Sequence, residues 1–262
     1  MMIWTVAGMR PLAIGAGLLF VGTALATAGC QQAAPAQTEV VPTSADSPGN
    51  ASASPIQSRL VGASRAVLAV PAQWDMNATR CGVAERDTVI VDDMVAYCSS
   101  PQPANVDSVT LRRGIPAADF RSDREYRLAE YTVLRQDVGC SGQADSEVQL
   151  CRGSLYVQDL DVSFAATSTR GPEFVDALLD GVQIATDSVG VLGVQGPGPD
   201  PSGTSEGEAH AARLKAIGLA PRVVASDTSQ LPSGRIVQII PAPGTVVSVD
   251  SEVTVVVSAG RG

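Results

Sequence analysis

Apolar residues fall into five zones along this chain, each with its own spacing. Residues 1–29 hold one long uncharged run, PLAIGAGLLFVGTALATAG from Pro11 to Gly29, which follows Arg10 and turns to small residues toward its end. From 30 to 58 no apolar period is visible; Ala, Pro, Ser, Gln and Thr dominate and aromatic residues are absent. Such a stretch cannot bury enough surface to offset its ordering entropy, which predicts a disordered tether. Between 59 and 190, short apolar runs recur between turn signals, at Ala66 to Val70, Thr88 to Val91, Val106 to Leu111, Tyr131 to Leu134 and Leu155 to Phe164. Their lengths and β-branched content predict strands, with Asp92-Asp93 as a hairpin turn between Thr88 to Val91 and Val95 to Tyr97. One helix is expected to close this zone and cover a sheet face. Pro172 sits near its start, and Phe174, Leu178 and Val182 form an i, i+4, i+8 stripe flanked by Val175 and Leu179.

The zone from 191 to 203 contains VQGPGPDPSG, a linker by its Pro and Gly content. In 204–262, Ser205 and Glu208 have the spacing of a capping box, Arg213 and Lys215 follow near the helix end, and Gly218 supplies the C-terminal cap. Strands are expected from Arg222, from Arg235 to Ile240, and from Glu252 to Ser258, where Val253, Val255 and Val257 alternate. The expected fold class is α+β: a β-rich middle domain over 59–190, then a small C-terminal domain of one helix packed on a three-stranded sheet.

Charge narrows the function classes. Among 262 residues, 18 Lys+Arg stand against 27 Asp+Glu for a net charge of -9, which argues against a polyphosphate partner, so no nucleic acid is expected. Most of the acidity lies in 59–190, with 12 Arg against 19 Asp+Glu, whereas 204–262 carries five of each sign. His210 is the one histidine, which leaves almost no material for a Ser-His-Asp triad or a multi-histidine metal site. His210 shares a helix face with Leu214 and Ile217 and reads as a partly buried structural residue. No nucleophile elbow or metal motif is present, so no catalytic residue, metal or cofactor is expected. A glycosidase with paired carboxylates is the enzymatic alternative, and a cleft with two facing carboxylates would revive it. Lys215 is the one lysine beside 17 Arg, a composition of GC-rich genomes such as actinobacterial ones.

Five cysteines remain to be placed. Cys30 follows the small-residue patch directly, and Cys81, Cys98, Cys140 and Cys151 make an even set in an exported chain, which reads as disulfides. Four cysteines permit three connectivities; the sequential one, Cys81 with Cys98 and Cys140 with Cys151, is expected because each pair brackets a hairpin or polar loop. Neither pair has the spacing of a zinc knuckle. Trp74 is expected in the core, and the triplets starting at Asn50 and Asn77 are assigned no role.

Three segments resemble known patterns. Thr27-Ala28-Gly29-Cys30 is similar to the lipobox of bacterial lipoproteins, which implies that 1–29 is a signal peptide, that Cys30 is the lipidated residue at the mature N-terminus, and that the protein sits on the extracytoplasmic face of the cell membrane. Residues Val67 to Val91 resemble modules of uncharacterised exported actinobacterial proteins, a likeness that carries no activity. Gly234-Arg235-Ile236-Val237-Gln238-Ile239-Ile240-Pro241-Ala242-Pro243-Gly244-Thr245, continued by Val247 and by Ser251 to Ser258, resembles the PASTA domain of penicillin-binding proteins and envelope serine/threonine kinases. That resemblance implies binding of peptidoglycan or muropeptides. The competing expectation is an envelope protein-protein interaction or spacer module that touches no glycan. No residue of 59–190 or 204–262 is singled out as ligand-binding.

Overall fold

The computed structural model describes residues 57–91, 100–118, 120–143, 146–194 and 205–260. Strands β1 (Ser58–Ala63) and β2 (Ala66–Pro71) form an antiparallel hairpin. Ser58, the last residue of the expected tether, is thereby paired with Pro71. Three short strands follow, β3 (Asp75–Met76), β4 (Thr79–Arg80) and β5 (Val83–Ala84). Next come β6 (Thr88–Val91), β7 (Asp107–Arg113), β8 (Arg124–Leu128), β9 (Tyr131–Gly142), β10 (Gln149–Val157) and β11 (Val162–Ser168). Helix α1 (Pro172–Asp180) leads into β12 (Val182–Ile184) and β13 (Ser188–Gly190). The C-terminal part contains α2 (Glu206–Ala216), β14 (Ala220–Ser226), β15 (Ile236–Ile240), β16 (Val246–Ser248) and β17 (Glu252–Ser258). The described chain is thus β-rich, with two α-helices.

A seven-stranded sheet of order β3-β6-β7-β11-β10-β9-β8 dominates, beside a smaller sheet β1-β2-β12. Strands β8 to β11 run as consecutive antiparallel neighbours. The apolar run Leu155 to Phe164 is therefore two strands, separated by a 3-10 turn at Gln158–Leu160 and by Asp161 at φ 53°. Aspartate tolerates that left-handed conformation, and here its carboxylate also accepts from the Tyr156 hydroxyl at 2.9 Å and pairs with Arg113 at 3.0 Å. Strand β6 runs parallel to both β3 and β7. Asp92, Asp93 and Val95 to Tyr97 lie outside the described residues.

Helix α1 covers the sheet as expected, but on a different stripe. Val175 and Leu179 are buried, whereas Phe174 is 40% exposed and Val182 has already entered β12. The rotation follows from Arg135 of β9, a residue 1% exposed, whose guanidinium reaches Asp176 at 2.7 Å and Asp180 at 3.1 Å. Those two acids are spaced i, i+4, so turning them toward β9 brings Val175 and Leu179 onto the sheet. Gly153 makes the approach possible, because a Cβ there would lie 3.1 Å from Val175 and 3.2 Å from Leu179.

In the C-terminal part, β14 and β15 flank β17, parallel and antiparallel to it respectively. Gly207 of α2 packs on Val257, where a Cβ would come within 2.2 Å of the valine side chain, and Leu214 is fully buried. Residues 53–262 form one compact unit. Its apolar core is continuous, running from Val61, Val109 and Phe164 through Val191 and Leu192 to Leu214, Val253 and Val255. Val191 and Leu192, where the expected linker begins, are buried members of that core.

Candidate functional site

The C-terminal segment is built around a capped helix and a glycine turn. The Ser205 hydroxyl accepts from the Glu208 backbone N–H at 3.2 Å, and the Glu208 carboxylate accepts from the Ser205 N–H at 3.3 Å, a reciprocal capping box. The Glu206 carboxylate accepts from the Ile236 N–H at 3.0 Å and pairs with Arg235 at 2.9 Å, which ties the helix start to β15. After β15 the chain passes through Pro241, whose peptide bond is cis, to Gly244 at φ +84°, a conformation that suits glycine.

This Pro-Ala-Pro-Gly-Thr turn does not stand free. The Gly62 N–H donates to the Gly244 carbonyl at 3.0 Å, the Gly244 N–H to Val191 at 2.9 Å, and the Val191 N–H to Thr245 at 2.9 Å. Beyond it, β16 pairs antiparallel with β13, from Ser188 opposite Ser248 to Gly190 opposite Val246. A Cβ on Gly244 would approach Val91 at 2.8 Å and Met76 at 3.0 Å, and one on Gly190 would meet the Gly62 backbone at 2.1 Å. Three backbones therefore cross where side chains have no room.

His210 is 1% exposed, and neither ring nitrogen makes a hydrogen bond of good geometry among the described residues. Burial lowers its pKa to about 4 and Arg213 adds to the fall; Glu206 and the Leu192 backbone oppose it more weakly, and Arg113 of β7 pushes further down. The expected partial burial is thus nearly complete, because the middle segment also covers the helix.

Cys140 and Cys151 stand opposite one another on β9 and β10 and are joined by a disulfide, with Cα atoms 4.0 Å apart. Cys81 takes part in a disulfide as well. Cys30 and Cys98, and with them lipidation and the Cys81 to Cys98 pairing, lie outside the described residues, as does Asn50. Trp74 is buried at 6% exposure, and Asn77, at φ 54°, accepts from the Val91 N–H through its side chain at 2.7 Å.

Two polar constellations escaped the sequence reading. Asp107 is 3% exposed; burial raises its pKa although Ser168 donates to it at 2.5 Å and Arg170 pairs with it at 2.8 Å. Arg170 also pairs with Asp87 at 2.9 Å, so the three form a structural clasp between β7 and the end of β11. The second is a pocket of about 210 Å³ on the seven-stranded sheet, floored by Ser108, Thr110 and Thr167 and edged by Arg152. The alternation of hydroxyls with apolar residues in Ser108-Val109-Thr110-Leu111 was the available signal: it marks a polar sheet face opposite the core.

Comparison with known proteins places residues 199–259 as a match to the PASTA domain family. A search of curated proteins returned no significant match. Among solved structures, the 1.95 Å crystal structure of Penicillin Binding Protein 2X from Streptococcus thermophilus aligns at 11% identity over 50% of this chain, with a TM-score of 0.19. The alignment spans 22% of that protein.

Proposed function

We propose that this chain is a non-enzymatic lipoprotein of the cell envelope, anchored through Cys30 on the extracytoplasmic face of the membrane and contacting peptidoglycan or muropeptides through its PASTA module. The observation that carries this reading is the PASTA match over 199–259, a domain of cell-envelope proteins associated with peptidoglycan. The uncharged run ending at Gly29-Cys30 supports the anchor. No helix among the described residues is long and apolar enough to cross a membrane. Acyl chains would contribute about 0.8 kcal/mol per buried methylene, so two or more hold firmly.

The docked turn constrains how the module meets a wall. Gly244 and Thr245 face the middle segment, which leaves the sheet face opposite α2, where Arg222, Gln238 and Ile240 are exposed. That small face fits weak binding made effective by anchoring beneath the wall. The same docking favours a second reading, a spacer or protein-interaction module whose PASTA turn serves architecture alone.

Sedimentation with purified sacculi tests the first reading. The full chain is expected to pellet with them and the triple variant Arg222→Ala, Gln238→Ala, Ile240→Ala to remain in the supernatant; a full chain left in solution moves the assignment to the spacer. Cys30→Ser is expected to leave a larger precursor without acyl label, and normal processing of that variant would remove the lipid anchor from the reading.

A further inference from the structure

We infer that the polar pocket on the seven-stranded sheet binds a small carboxylate-bearing ligand, with the chemistry of a peptide's carboxy-terminal residue, through Arg152. The pocket lies on the face turned away from α1. Gly153 of β10 faces the helix, so Arg152 points to the other side. Across the strands, Arg152 stands opposite Thr167 and Thr167 opposite Ser108, which aligns a guanidinium and two hydroxyls in one row. The next row brings Thr110 beside Ile90.

The floor is already organised. Ser108 and Thr167 share a hydrogen bond of 2.7 Å, and Thr167 donates to Gln102 at 3.2 Å. Gln102 and Gln143 bond reciprocally, at 2.7 and 3.1 Å. These groups hold one another in place, so a ligand would meet fixed dipoles. The walls are stapled too: Leu150 and Arg152 flank Cys151 in its disulfide, and Gly82 follows the disulfide-bonded Cys81.

Charge then selects the ligand class. Acids outnumber bases in this chain, and Arg86, Arg113, Arg124, Arg135, Arg170 and Arg235 are each paired with a carboxylate. Arg152 is one of several described arginines without a carboxylate partner, and of these it is the one that lines the pocket, where the Thr110 hydroxyl makes no hydrogen bond among the described residues. No Asp or Glu lines the pocket among the described residues, so a ligand carboxylate there would meet one cation and no local repulsion. Val83, Ile90 and Leu150 add an apolar wall for a short side chain. No aromatic ring lines the pocket among the described residues, which disfavours a sugar ring that would stack, and a divalent cation would find no carboxylate. At about 210 Å³ the space is below the roughly 300–1,000 Å³ of drug-sized sites, which limits the ligand to the scale of one acylated amino acid.

The test is an NMR titration of the full chain with N-acetylvaline and, separately, with N-acetylvalinamide, which lacks the carboxylate. The acid is expected to shift the amides of Thr110, Arg152 and Thr167 and to saturate in the millimolar range, with the carboxamide at least tenfold weaker. Arg152→Gln should reduce affinity for the acid to that for the carboxamide, and Thr110→Val should weaken both ligands several-fold. Equal binding of acid and carboxamide, an unaffected Arg152→Gln variant, shifts confined to 205–260, or no shifts at 50 mM would each overturn the proposal. Sacculus binding by the PASTA module is read separately, so either assignment can fail without the other.

Discussion

His210 shows how one buried side chain couples pH to stability. Its pKa in the folded protein, about 4, lies below the ordinary value of 6.5, so between these limits the unfolded chain binds the extra proton. Stability is therefore full above about pH 6.5 and declines as pH falls toward 4, by roughly 3 kcal/mol in all. Denaturant midpoints at pH 7.5 and 4.5 are expected to differ accordingly, and His210→Leu should remove that part of the slope, since leucine fills the site without a titrating ring. An unchanged slope in the variant would assign the dependence to other groups; Asp107 is not among them, because burial raises its pKa and its protonation therefore favours the folded state as pH falls. At Gly190, an added Cβ would lie 2.1 Å from the Gly62 backbone, so Gly190→Ala is expected to destabilise by about 1–3 kcal/mol or more, measured by urea denaturation.

At the scale of elements, the β9-β10 hairpin and helix α2 have separable supports. The Cys140 to Cys151 bond closes a loop of sequence separation 11, which in the chain-entropy model contributes about 3 kcal/mol. The double variant Cys140→Ser, Cys151→Ser should lose about that much, with faster amide exchange along β9 and β10. Ser205→Ala should cost about 1 kcal/mol through the lost cap, with exchange quickening in the first turn of α2. Both elements were legible in the sequence, because caps and turns are short-range devices. The stripe on α1 was misread for a long-range reason: Phe174 and Leu178 have the right period, but the partner that orients the helix, Arg135, is far away in sequence.

For the whole molecule, the continuous core predicts a single unfolding transition for the middle and PASTA segments. Thermal unfolding followed by tryptophan fluorescence from Trp74 and by far-ultraviolet circular dichroism should give coincident midpoints, and two resolved transitions would show that the segments unfold independently. Gly190→Ala should lower both signals together. The expectation of a linker from residue 191 treats the two parts as separate, whereas Val191, Gly244 and Gly62 join them through their backbones.

What the chain alone determined were features written in neighbouring residues: strand runs of β-branched character, the capped helix α2 and the proline and glycine turn of the PASTA pattern; the pairing of Cys140 with Cys151 was one of three connectivities the sequence allowed, and the structure selected it. Periodicity, capping and turn chemistry act over a few residues, so the local sequence carries them. Only the tertiary structure decided that β6 lies between parallel neighbours, that Ser108, Thr110 and Thr167 floor a pocket edged by Arg152, and that the PASTA turn docks on the middle segment. The docking rests on backbone hydrogen bonds joining Gly62, Val191, Gly244 and Thr245, and close crossings of this kind leave little mark in sequence beyond the glycines that permit them.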